Sequence, residues 1–347
     1  MTKTTFQSVV DALLEDGKPF PKKYLSFFSD MDPASLRLLL EAWPRISLTR
    51  KRTLLDELDA LLDEDTIVSF DDFARALLAD PDAPMRAGAM RLLAECEDVK
   101  LVPIYEKIIA SDPNPEARAA AAQALNLFAD LGELDEIPEA AHHRAEDALL
   151  AASRDDDADV RRRALESLGY SSREEVSALI EAAIDREDPD WQVSALVAMG
   201  RSSGEHWAEP IIRMMLSVDR DVRLAAVKAA GELMQPAARL PLLRMLDEED
   251  DPEIFSAVIW SLSQVGGEDV RTYLENLLDK TEEDDEIEFI EDALANLAFN
   301  EDLDKFDLLA VDPDEDLVEL EELDELEELE EDDKPAPKKA AKSGKKK

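Results

Sequence analysis

Apolar and small residues recur four apart along much of the chain: Val160, Ala164 and Leu168; Val222, Ala226 and Ala230; Ile254, Val258 and Leu262. That spacing holds side chains on one face of an α-helix, so each run predicts an amphipathic helix with a stripe of small residues. The runs are variants of one phrase: DVRRRALESLGY (159–170), DWQVSALVAMGR (190–201), DVRLAAVKAAGEL (221–233) and EIFSAVIWSLSQ (253–264). Looser copies are PMRAGAMRLLAE (84–95), EARAAAAQALNLF (116–128) and EIEFIEDALANL (286–297). Aligned on Met85, Ala117, Val160, Trp191, Val222, Ile254 and Ile287, the copies are separated by 32, 43, 31, 31, 32 and 33 residues. A period of 31–33 residues predicts an array of helical repeats.

Each copy carries its own start signal. Three residues before the anchors stand Asp82, Asn114, Asp157, Asp188, Asp219, Asp251 and Asp284, the side chains best suited to bond the free N–H groups of a first turn. Proline follows at 115, 189 and 252, and an acid comes next at Glu116, Asp159, Asp190, Asp221, Glu253 and Glu286, where the helix dipole favours negative charge. Gly169, Gly200 and Gly231 read as C-terminal signals of these first helices. A second amphipathic run follows each: 173–187, 206–218, 237–249 and 269–280. A helix pair cannot bury its apolar faces alone, so the pairs must stack. The Asp-Pro-Asp/Glu-x-x-Arg starts and Val-Arg-x-x-Ala-x-x-x-Leu-Gly runs resemble the HEAT-repeat family, in the short bacterial form also seen in phycobilin-lyase-type subunits. The resemblance covers roughly 30–299 and implies an all-α solenoid of antiparallel helix pairs. Fold of this kind does not imply activity.

Outside the array the pattern changes. Residues 1–29 read as an N-terminal helical cap, with helices over 4–15 and 21–29 turning their aromatics inward. Helices at 32–43, 47–64 and 69–80 follow before the regular repeats begin. The long interval falls at 126–152 and predicts a loop lengthened by about eleven residues, either decoration or a binding element. Residues 300–333 read as an acidic, mostly disordered segment: leucines at 317, 320, 323, 326 and 329 drift around a helix, and 312–333 hold fifteen acids and no base. Residues 334–347 form a disordered tail with seven lysines.

Net charge changes the choice of partner. The chain carries 83 acids against 39 Lys and Arg, a formal charge of −44, and such a field repels phosphate backbones and anionic membranes. The expected partner is therefore a protein, with basic surfaces favoured by the charge, rather than nucleic acid or a lipid surface. No apolar run approaches the ~18 residues of a membrane span, no signal-peptide pattern opens the chain, and the single cysteine suits a reducing cytosol. From these features a cytoplasmic protein is expected.

Catalytic chemistry finds little to work with. The histidines are His142, His143 and His206, too few for the clusters that metal chemistry uses, and adjacent His142 and His143 point to different faces of a helix. The hydroxylases built on HEAT repeats use His-Glu pairs, and the chain has no His-Glu dipeptide. Cys96 follows an apolar helical run, where a free cysteine acts as a small hydrophobe. No cofactor, metal or catalytic residue is expected. What remains is a scaffold that binds a protein on a concave wall formed by the second helices. Trp207, Arg213, Met214, Arg244 and Met245 break the acidic pattern there and are the residue types of adaptable interfaces. The competing reading makes Trp207 and the methionines inter-repeat core. An alternative function is a chaperone-like or lyase-type subunit that holds a client while chemistry occurs elsewhere.

Overall fold

The computed structural model describes residues 5–307 apart from Thr66 and Ser203, and among these there is helix, turn and loop but no strand. The chain divides into two compact units, Met1–Val270 and Arg271–Lys347.

The first unit opens with α1 (Phe6–Leu13), a 3-10 turn over Lys22–Phe28, α2 (Pro33–Ala42), α3 (Leu48–Glu64) and α4 (Asp71–Leu77). Asp32 caps α2 by accepting from the Ala34 and Ser35 amides, and Ser47 caps α3. The aromatics of this end do turn inward. Phe28 meets Phe73 at 5.2 Å and Phe6 at 6.3 Å between ring centroids, Trp43 meets Phe73 at 5.4 Å, and the Trp43 indole N–H donates to buried Asp80 at 2.7 Å. A buried indole N–H needs such a partner.

The repeats then alternate first and second helices. α5 (Ala83–Arg91) precedes α6 (Val102–Ser111). Next come α7 (Pro115–Ala124), α8 (Asn126–Glu133) and α9 (Glu139–Ala152). α10 (Ala158–Leu168) pairs with α11 (Glu174–Ile184), α12 (Pro189–Arg201) with α13 (Ala208–Met214), and α14 (Arg220–Glu232) with α15 (Arg239–Glu248). α16 (Pro252–Val265) and the start of α17 (Glu268–Leu278) end the unit. The second unit takes the rest of α17 and α18 (Asp284–Asp307). α18 runs across the boundary expected at 299, and the remainder of 300–333 and all of 334–347 lie outside the described residues.

The start signals mark the helix ends. Asn114, Asp157, Asp188, Asp219 and Asp251 each precede a first helix, and each side chain accepts from amides of the first turn. Asp82 occupies the same position before α5 without making that bond, and Asp284 is the first residue of α18 rather than its cap.

Two expectations need correction. Gly169, Gly200 and Gly231 are not left-handed C-terminal signals: Gly200 and Gly231 lie inside α12 and α14, and Gly169 is right-handed at φ −53. They are points of contact between successive first helices. A Cβ at Gly231 would fall 2.8 Å from Ser261 Cα, at Gly200 2.9 Å from Ala229 Cα, and at Gly169 2.8 Å from Ala198 Cα. Only hydrogen fits there. Nor does the long interval at 126–152 lengthen a loop. Its residues form α8, which follows α7 across Leu125 and buries Phe128, Ala129, Leu131 and Gly132, and the 14-residue α9. An apolar face on a short run made helix the better state than loop.

A ladder of arginines joins the repeats. Arg86 donates twice to Asp112 at 2.7 Å and Arg118 twice to Asp155 at 2.8 Å, each reaching from one first helix to the loop before the next. The same guanidiniums donate back to the carbonyls of their own loops, at Asp80 and Asp112. Arg223 repeats the arrangement with Glu249 and the Ser217 carbonyl. The acid is also an acceptor for the capping residue's amide: Asp112 for Asn114, Asp155 for Asp157 and Glu249 for Asp251. At the next position in the series stands Arg186 instead of an acid. There the buried Trp191 ring takes over, with Arg186 at 3.9 Å and Arg161 at 5.8 Å from its centroid, so two cations share one aromatic ring.

Candidate functional site

Small residues draw the first helices together. α10, α12, α14 and α16 pack side by side into one continuous wall, while the second helices α11, α13 and α15 do not pack on one another in the same way. The open face of the first helices is therefore a candidate surface beside the second-helix surface that the sequence suggests.

A groove of about 500 Å³ opens on that wall across α10, α12 and α14. Its floor includes the half-buried Val193, Val197 and Leu224. Charge frames it, with five carboxylates (Asp159, Glu166, Asp190, Asp221 and Glu232) against three cations (Arg162, Arg163 and Lys228). Arg162 bridges Asp159 at 3.1 Å and Asp190 at 2.5 Å, tying α10 to α12. Glu166 is held by Arg163 at 2.9 Å and by the buried Ser194 hydroxyl at 2.6 Å. Glu232 lies over Gly200 on the exposed face of α14, where partial desolvation pushes its carboxyl above the usual range against the opposing pull of Arg201 and Lys228. The result is an open apolar strip inside a net negative rim, built for a chain carrying both apolar and cationic side chains.

The five residues singled out in the sequence are not brought together as one surface. Trp207 is buried at the start of α13, its ring 4.2 Å from that of His206, and Met245 is buried in α15. Both belong to the inter-repeat core, because an indole or thioether on the inner stripe of a short helix gains more from burial than from exposure. Arg213 and Arg244 are exposed, with no ion pair or side-chain hydrogen bond among the described residues, and Met214 is half-buried. The groove residues were missed because the binding surface was sought on the second helices. The signal was present: Val193, Val197 and Leu224 are the aliphatics of those helices that fall off the buried stripe.

Cys96 is half-buried with its sulfur 3.1 Å from Arg75, and burial together with Asp71 pushes its thiol up, away from the thiolate a nucleophile needs. Tyr105 is buried with its hydroxyl unpaired, and desolvation raises it strongly. No helix of the described residues is long and apolar enough to cross a membrane.

Residues 208–295 match the family profile described as HEAT repeats. These residues are HEAT repeats. The matched span begins at α13 and includes α14, the groove's third helix. Upstream of it, α10 and α12 carry the same caps, glycine contacts and spacing as the HEAT helices. The chain is similar to YibA of Escherichia coli at 15% identity, over 82% of this chain and 99% of that one, with a TM-score of 0.44. It is also similar to the complex of CpcE and CpcF of phycocyanin lyase from Nostoc sp., at 16% identity over 82% and 97% with a TM-score of 0.47. Human deoxyhypusine hydroxylase is similar at 17% identity over 75% and 95%, with a TM-score of 0.33. No curated protein matches the chain significantly.

Proposed function

We propose that the protein is a non-enzymatic scaffold that holds a protein partner in the groove across α10, α12 and α14. The observation that carries this reading is the coincidence of a half-buried aliphatic strip with a surplus of carboxylates in one open groove. The partner is a segment with apolar side chains for Val193, Val197 and Leu224 and basic ones for the rim. Charges of this kind steer encounter, while the apolar floor sets residence time.

A second reading rests on Arg213 and Arg244, which stand exposed on second helices near half-buried Met214, with no ion pair among the described residues. Such a surface takes an acidic partner. Affinity capture from native lysate separates the two, using the full chain, Val197→Glu with Leu224→Glu, and Arg213→Ala with Arg244→Ala. The groove reading expects one stoichiometric protein, lost with the first pair and retained with the second. Loss with the arginine pair alone contradicts it. Recovery of many unfolded clients instead of one protein favours the chaperone-like or lyase-type subunit.

A further inference from the structure

The lengthened repeat places three potential ligands together that are apart in the sequence. Glu133 ends α8, and His142 and Glu146 stand four apart on α9, so they share a helix face. One ligand atom from each lies within 4.8 Å of the others. His142 Nε2 is 3.7 Å from Glu133 Oε1 and 3.7 Å from Glu146 Oε1. It is buried and has no hydrogen-bond partner.

Those distances choose between two arrangements. An imidazole N–H bonded to a carboxylate sits at about 2.7–3.2 Å, so 3.7 Å to each of two oxygens is not a hydrogen bond to either. Ligands 2.0–2.2 Å from a shared zinc-class ion stand about 3.3–3.6 Å apart, close to the observed spacing.

The surroundings are those of an oriented ligand set. Both carboxylates are fixed by the turn at 171–173. Ser171 and Arg173 donate to Glu146, which is 2% exposed, and the Ser172 amide donates to Glu133 at 2.7 Å. Such outer bonds aim carboxylate lone pairs and leave others free for a metal. Gly132 supplies the room: a Cβ there would collide with the His142 ring, so a larger residue would push the imidazole out of place. Charge also fits. Arg173 pairs with both Glu146 and Asp147, at 3.1 and 2.7 Å, so its one positive charge is shared between two carboxylates, and Glu133 adds a third carboxylate to the cluster.

We propose that Glu133, His142 and Glu146 bind one divalent transition-metal ion of the zinc class, which clamps α8 and α9 to the turn before α11. An imidazole ligand with two carboxylates favours zinc, cobalt or iron over calcium and magnesium, which take oxygen alone. Glu133 and His142 are half-buried, so a water can complete the coordination.

Cobalt(II) is the direct probe, because an imidazole site of low coordination number gives strong visible d–d absorption while carboxylates on the acidic surface hold the ion six-coordinate and nearly colourless. The full chain, freed of metal by chelator, is titrated with Co²⁺ and then displaced with Zn²⁺. One saturable strong band is expected. His142→Ala should abolish it, Glu133→Gln should weaken binding at least ~10-fold, and His206→Ala should leave it unchanged. Circular dichroism checks each fold. Should His142→Ala fail to fold, Glu133→Gln on its half-buried side chain decides the matter. A weak spectrum that is the same in all four proteins overturns the proposal, as does a strong band that survives loss of His142.

Discussion

At the scale of single residues, the small side chains of the repeat do two separate jobs. Alanines line the buried stripe, and glycines admit the next helix. Replacing Gly231 with alanine in an unstrained helix would stabilise by about 1 kcal/mol through helix propensity. Here the added Cβ lies 2.8 Å from both Ser261 Cα and its hydroxyl, so the substitution should instead destabilise, by about 1–3 kcal/mol in chemical denaturation. A stabilised Gly231→Ala protein would mean that α14 and α16 are not in close contact. The caps make a second comparison. Asp219→Ala removes a side chain bonded to the Asp221 and Val222 amides and should cost about 1 kcal/mol, whereas Asp82→Ala removes no such bond and should cost less. The caps were legible in the sequence because capping is local chemistry. The glycines were misread because what excludes a Cβ there is a helix thirty residues away.

Between elements, the arginine ladder supplies the joints. Arg118 and Asp155 are linked by two bonds of 2.8 Å at a site only 13–16% exposed, and the Arg118 hydrogen bond holds the Asp155 carboxyl below its usual range despite burial. Asp155→Asn should therefore destabilise at neutral pH by about 1.5–3 kcal/mol, the worth of hydrogen bonds to charged groups. The folded pKa is depressed, so this stabilisation is present above the unfolded value near ~3.9 and is lost as pH falls through the folded one. Melting curves of the two proteins should converge in acid. A deficit that does not narrow as pH falls would point to packing rather than charge. The partners of this ladder stand in the sequence as an acid two residues before the caps Asn114, Asp157 and Asp251, yet only the fold shows which arginine reaches which acid. The same limit explains 126–152. Its length was evident, but the burial of Phe128 and Leu131 that makes it helical depends on neighbours, and so does the meeting of Glu133 with His142 and Glu146.

For the molecule as a whole, the period of 31–33 residues revealed a helical array, and the fold class follows from it directly. Which helix layer offers the binding surface did not follow, since both helices of a pair are amphipathic. Burial of Trp207 and Met245 moves the candidate surface to the open faces of α10, α12 and α14. The most direct measurement of the central claim is amide hydrogen exchange on the full chain, with and without its captured partner. The groove account predicts added protection along α10, α12 and α14 and none along α13 and α15. Protection confined to α13 and α15 would contradict it.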